Sequence, residues 1–118
     1  MQKPIFKYSI HEGRRYNFIK GSILYDQLNI SIESYDVETI DEVIEEVEQV
    51  LSGKLVECDF SSGELNDFVL VMKEESRLYP IFEKDDHLKI PTKDLLEILK
   101  QWRDFISNPP AEEDQSIT

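Results

Sequence analysis

Carboxylates are the side chains this sequence offers most freely for chemistry, with 25 Asp and Glu against 13 Lys and Arg and a formal net charge of −12. Two carboxylates can divide general-acid and general-base work when burial or a close neighbour pushes their pKa values apart. Here the acids fall on expected turns and solvent faces, and at so many spacings that no pair stands out. Asp85, Asp86 and His87 are consecutive, but a polar turn accounts for such a run. His11 and His87 stand far apart, Cys58 is the only cysteine, and none of the three has a second ligand at zinc spacing. The phosphate-cradling G-x-x-x-x-G-K-S/T, the dinucleotide G-x-G-x-x-G, H-E-x-x-H, C-x-x-C and G-x-S-x-G are all absent. These residues imply no metal, no cofactor and no catalytic residues. Cys58 reads as a small, partly buried side chain in a strand.

The distribution of charge says more than its sum. Residues 33–67 hold twelve acids and one base, Lys54, so nearly all the negative surplus belongs to one contiguous third of the chain. Within it, VETIDEVIEEVEQVL at 37–51 reads as a helix whose outer face carries carboxylates and no Lys or Arg. Like charges four residues apart, Asp41 with Glu45 and Glu42 with Glu46, cost an isolated helix about 0.2–0.5 kcal/mol per pair. Such a segment repels nucleic acid, which needs cations against phosphate, and attracts a basic protein partner. The acids expected to meet that partner are Asp41, Glu42, Glu45 and Glu48 on the helix, with Glu57, Asp59 and Glu64 after it. Lys3, Lys7, Arg14, Arg15 and Lys20, interleaved with Tyr8, Tyr16 and Phe18, could suit single-stranded nucleic acid. A strand pair with solvated cations on one face and core aromatics on the other explains them better. That basic end could also meet the acidic region within the fold.

The elements that must position these residues follow from periodicity. PIFKYSI (4–10), YNFIKGSILY (16–25) and LNISIES (28–34) read as strands, the last by alternation of Leu28, Ile30 and Ile32. A capping box of Thr39 and Glu42 opens the acidic helix. Ile40, Val43, Ile44, Val47, Val50 and Leu51 share one face, and Gly53 stops it. KLVECDF (54–60), FVLVMKE (68–74) and RLYPIFE (77–83) follow as strands, with FVLVM central and Pro80 marking an edge or bulge. Thr92 is the expected N-cap of a last helix. Its apolar face runs through Leu95, Ile98, Leu99, Trp102, Phe105 and Ile106, and the helix ends at Pro109 and Pro110. At this spacing Trp102 is a core residue whose indole N–H needs a partner at the core's edge.

The order βββαβββα implies an α+β domain over residues 1–108, an antiparallel β-sheet of about five to six strands with two helices on one face. Residues 109–118 are expected to be a flexible acidic tail. No apolar run is long enough to span a bilayer and no secretory signal opens the chain, so a cytoplasmic location without membrane contact is expected.

From residue 40 to 106, IDEVIEEVEQVLSGKLVECDF, DFVLVMKEESRLYPIFE and KIPTKDLLEILKQWRDFI resemble the small acidic immunity proteins of bacterial polymorphic-toxin systems. The matching positions are Val50, Leu51 and Gly53 at the helix end, then Ile90, Thr92, Leu95, Leu99 and Trp102. The resemblance implies a non-enzymatic inhibitor that binds and blocks a toxin domain, often a nuclease. A carboxylate-rich surface would there occupy a cleft built for polyanions. Two other readings stay open: a general protein-interaction or assembly domain with no toxin, and a small enzyme using carboxylates.

Overall fold

The computed structural model describes residues 3–63, 67–79 and 87–107. A hairpin opens the chain: β1 (Ile5–His11) and β2 (Arg14–Lys20) pair antiparallel, from Ile5 opposite Lys20 to His11 opposite Arg14. Two residues, Glu12 and Gly13, make the turn, both with positive φ (52° and 78°). That geometry matches the twist of the flanking strands. Helices α1 (Ile23–Ile32) and α2 (Val37–Ser52) follow. Then come β3 (Glu57–Phe60), β4 (Phe68–Met72), β5 (Glu75–Tyr79) and β6 (Leu88–Pro91), and α3 (Thr92–Ser107) closes the order.

The α+β class and a count of six antiparallel strands among the described residues are as expected, but the strand expected at 28–34 is a helix and β6, just before the last helix, was not expected. Among the described residues the strands form two sheets, however, a two-stranded β1–β2 and a four-stranded β3–β4–β5–β6, and there are three helices instead of two. The third helix is α1, where the alternation of Leu28, Ile30 and Ile32 pointed to a strand. Tyr25, Leu28 and Ile32 lie i, i+3, i+7 and are all buried, so the same apolar residues satisfy a helical period as well. The Ser22 hydroxyl settles the start by accepting the Tyr25 amide at 3.3 Å.

Boundaries also move, among them the end of β2, at Lys20 and not Tyr25, and the start of β5, at Glu75 and not Arg77. α2 begins a turn before the Thr39–Glu42 box, because the Asp36 carboxylate accepts the Thr39 amide at 2.8 Å. That hydrogen bond holds the Asp36 carboxyl below its ordinary range. Downstream, Gly53 takes a left-handed φ of 90°, and Lys54 and Leu55 donate back to the Gln49 carbonyl. These residues finish α2, which shortens β3 to Glu57–Phe60. Thr92 opens α3 without capping it. Its buried hydroxyl donates to the Met72 carbonyl and lies 2.8 Å from Ser76 Oγ, so it ties α3 to β4 and β5.

β4 lies inside the four-stranded sheet, as its apolar run implies. Phe60, Val69, Val71, Leu78 and Ile90 turn one face of this sheet to the helices. One core joins them to Ile19 of β2, Tyr25, Leu28 and Ile32 of α1, the apolar face of α2, and Leu95, Leu99 and Trp102 of α3. Phe6 of β1 packs on Trp102 and Phe105, with ring centroids 6.0 and 5.8 Å away, which seats the hairpin on α3. Pro80, residues 81–86 and the expected tail at 109–118 lie outside the described residues.

Candidate protein-binding surface

The candidate surface is built on α2. Ile40, Val43, Val47 and Val50 are buried, and at 100° per residue the acids spread over the remaining arc in three groups. Asp41 and Glu48 fall on the flank beside α3. Arg103 Nε donates to Asp41 Oδ1 at 2.8 Å and its Nη2 to Oδ2 at 3.4 Å. Lys100 Nζ lies 3.6 Å from Glu48 Oε2. Two of the expected partner-binding acids are thus occupied by this chain's own cations.

Glu38, Glu42 and Glu45 point outward, Glu45 accepting a long 3.5 Å contact from Gln49. Glu46 falls on the opposite flank, beside β3. Among the described residues that strand is paired on one side only, with Cys58 opposite Val71 on the helix-facing side and Glu57 and Asp59 exposed on the other. Cys58 lies in the field of acids from both elements. Burial, then the charges of Glu46, Asp59 and Glu57, push its thiol up to about 11. Such a thiol stays almost wholly protonated at neutral pH and reacts slowly. Among the described residues, Glu38, Glu42, Glu46, Glu57 and Asp59 make no ion pair or side-chain hydrogen bond. Val56, 88% exposed, adds an apolar side chain just before the strand. Glu64 lies outside the described residues.

The end of β3 is held from below. The Tyr35 hydroxyl donates to the Ser61 carbonyl. Buried Asp67 accepts from Ser31 Oγ at 2.6 Å and from the Ser62 hydroxyl and amide at 2.6 and 3.1 Å. Burial alone would raise the Asp67 pKa, but these three hydrogen bonds, with a fourth from its own backbone, outweigh it and the carboxyl sits below its ordinary range.

The other sequence candidates go elsewhere. The Arg15 guanidinium stacks on the Tyr8 ring at 3.9 Å and lies 5.6 Å from that of Phe105, while the cations that reach α2 come from α3. His11 is exposed beside Glu12, and the His87 ring lies 5.4 Å from Tyr79. Asp85 and Asp86 fall outside the described residues. No group of three His, Cys, Asp or Glu among the described residues could hold a metal, and none of the helices described is long and apolar enough to cross a membrane. Trp102 is core, 1% exposed, but its indole N–H has no acceptor among the described residues.

A cleft of about 760 Å³ lies between β2 and α1, and it shares Asn17 and Glu33 with a cavity of about 270 Å³ that reaches Trp102. Reasoning from sequence missed this cleft, because its α1 wall sits where a strand was expected.

No protein-family model, curated protein or solved structure matches the chain.

Proposed function

We propose that this chain is a non-enzymatic binding protein of the immunity or inhibitor type, which captures a basic protein, such as a toxin domain, along the α2–β3 flank. One observation carries the reading. After Arg103 and Lys100 neutralise Asp41 and Glu48, the carboxylates of Glu38, Glu42, Glu46, Glu57 and Asp59 remain without a cation among the described residues. Like charges held together in a fold raise the energy of the free protein, and a cationic surface docking on them relieves it. Truncating one partner of a buried interfacial charge pair typically costs about 2–5 kcal/mol. The free flank is where such pairs would form, with Glu45 at its outer margin and Val56 as an apolar contact.

The test is co-expression with the toxin domain of any large modular secreted protein encoded beside this chain. The expected outcome is a complex that weakens steeply with salt and protects the cell. Reversing Glu42, Glu46 and Glu57 to Lys abolishes capture and leaves the circular dichroism spectrum unchanged. Unaltered affinity in that triple variant refutes this surface.

A further inference from the structure

The cleft between β2 and α1 supports a second binding mode, independent of the acidic flank. It is lined by all seven residues of β2, Arg14 to Lys20, and by none of β1. A hollow over a sheet face would touch alternate residues of both strands, so this one follows the outer edge of β2. The backbone agrees. The Ile19 amide turns away from β1 and donates to Asn29 Oδ1 of α1 at 2.8 Å. Antiparallel pairing alternates, so the main-chain N–H and C=O of Asn17 face the same way. Asn29 is oriented by Glu33, whose carboxylate accepts its amide at 2.7 Å. A side-chain amide therefore stands where the carbonyl of a neighbouring strand would be.

The walls specify what that strand would carry. On the core side, Asp26, Asn29 and Glu33 line the cleft as one stripe of α1. The one cation of β2 on that side, Arg15, is engaged with the Asn17 side chain at 2.8 Å and the Tyr8 ring, while Arg14 and Lys20 lie on the other side. Tyr16 and Phe18 turn to the other side, opposite Ser9 and Lys7, with Tyr16 45% exposed. A strand alternates its side chains between two faces, so cations would meet the α1 acids and apolar residues would lie beside the aromatic rings. We propose that the outer edge of β2 receives an extended segment of another protein, alternating basic and apolar residues, by strand addition.

The test uses the full chain and an acetylated eight-residue peptide alternating Lys and Val, followed by amide chemical shifts and fluorescence anisotropy. Binding is expected to move the amides of Asn17 and Ile19. It should be lost when alternate peptide nitrogens are methylated, and weaken about tenfold in Asp26→Lys or with a Glu/Val peptide. The Glu42→Lys, Glu46→Lys, Glu57→Lys variant should bind as well as the parent, which separates this edge from the α2–β3 flank. Three results overturn the proposal. One is shifts confined to α2 and β3 and indifferent to N-methylation, which would mean simple electrostatic capture. Another is a concentration-dependent dimer that pairs β2 with β2. The third is no binding up to about 1 mM, which would show that Asn29 and the flanking charges only guard the edge.

Discussion

Both flanks of α2 carry carboxylates, Asp41 and Glu48 on one and Glu46 on the other, yet they end in opposite electrostatic states. On the α3 side, Asp41 and Glu48 meet Arg103 and Lys100. On the β3 side, Glu46 of α2 and Glu57 and Asp59 of β3 all act on Cys58, and none of the three has a cation among the described residues. Helix periodicity places the carboxylates, but the neighbour packed against each flank decides whether they are neutralised. A count of charges along the chain therefore overstates the free anionic surface. In this molecule the difference is two of the four helix carboxylates first expected to bind.

The largest test of that contrast removes what seats α3. Trp102 is buried against Phe6 and Phe105. Trp102→Ala should destabilise the fold by about 3–5 kcal/mol in urea titration and free Arg103 and Lys100 from α2. Trp102→Phe should cost much less, since no indole hydrogen bond is lost among the described residues.

Next in size is the anchor beneath the other flank. Asp67→Ala strips the acceptor from Ser31 and Ser62 and should cost about 1.5–3 kcal/mol. It should also change the acid limb of the stability curve. Because the Asp67 pKa is lowered by folding, its contribution is complete above the unfolded value of about 3.9 and is lost as pH falls through the folded one. Asp67→Ala should lack that part of the loss, as thermal melts between acid and neutral pH would show.

A smaller effect separates the flanks directly. Arg103→Ala should lower stability slightly, and less so in high salt, because its ion pair is partly exposed. Glu46→Lys should be neutral or stabilising by about 0.2–0.5 kcal/mol, since it turns a repulsive pair with Glu42 into an attractive one. If both variants behaved alike in denaturant titration, the flanks would not differ as described. The most local test is Cys58. At pH 8 its reaction with a thiol reagent should be about a hundredfold slower than that of an ordinary cysteine. Replacing Glu46 with Gln should recover only part of the rate, because burial is the larger cause.

Much of this was legible in the residues themselves. α2 and α3 each carry a long apolar stripe at helical period, and the runs at 54–60, 68–74 and 77–83 can be read as strands in chain order, whereas the four residues of β6 are too few to show a period. α1 was not legible, because its short apolar set fits both a period of two and a period of 3.6. The choice fell to the burial of Tyr25, Leu28 and Ile32 and to the Ser22 cap. The cleft along β2 shared that fate, since its second wall is α1.

From sequence alone came the acidic third, the helix that carries it and the α+β class, all of them consequences of local composition and spacing. Tertiary structure decided which acids stay free, because Arg103 reaches Asp41 across 62 residues of chain and the packing of α2 on β3 brings Glu46 within reach of Cys58 with no cation beside it among the described residues. Charge interactions depend on distance in space, and periodicity gives no distance between elements that only the core brings together.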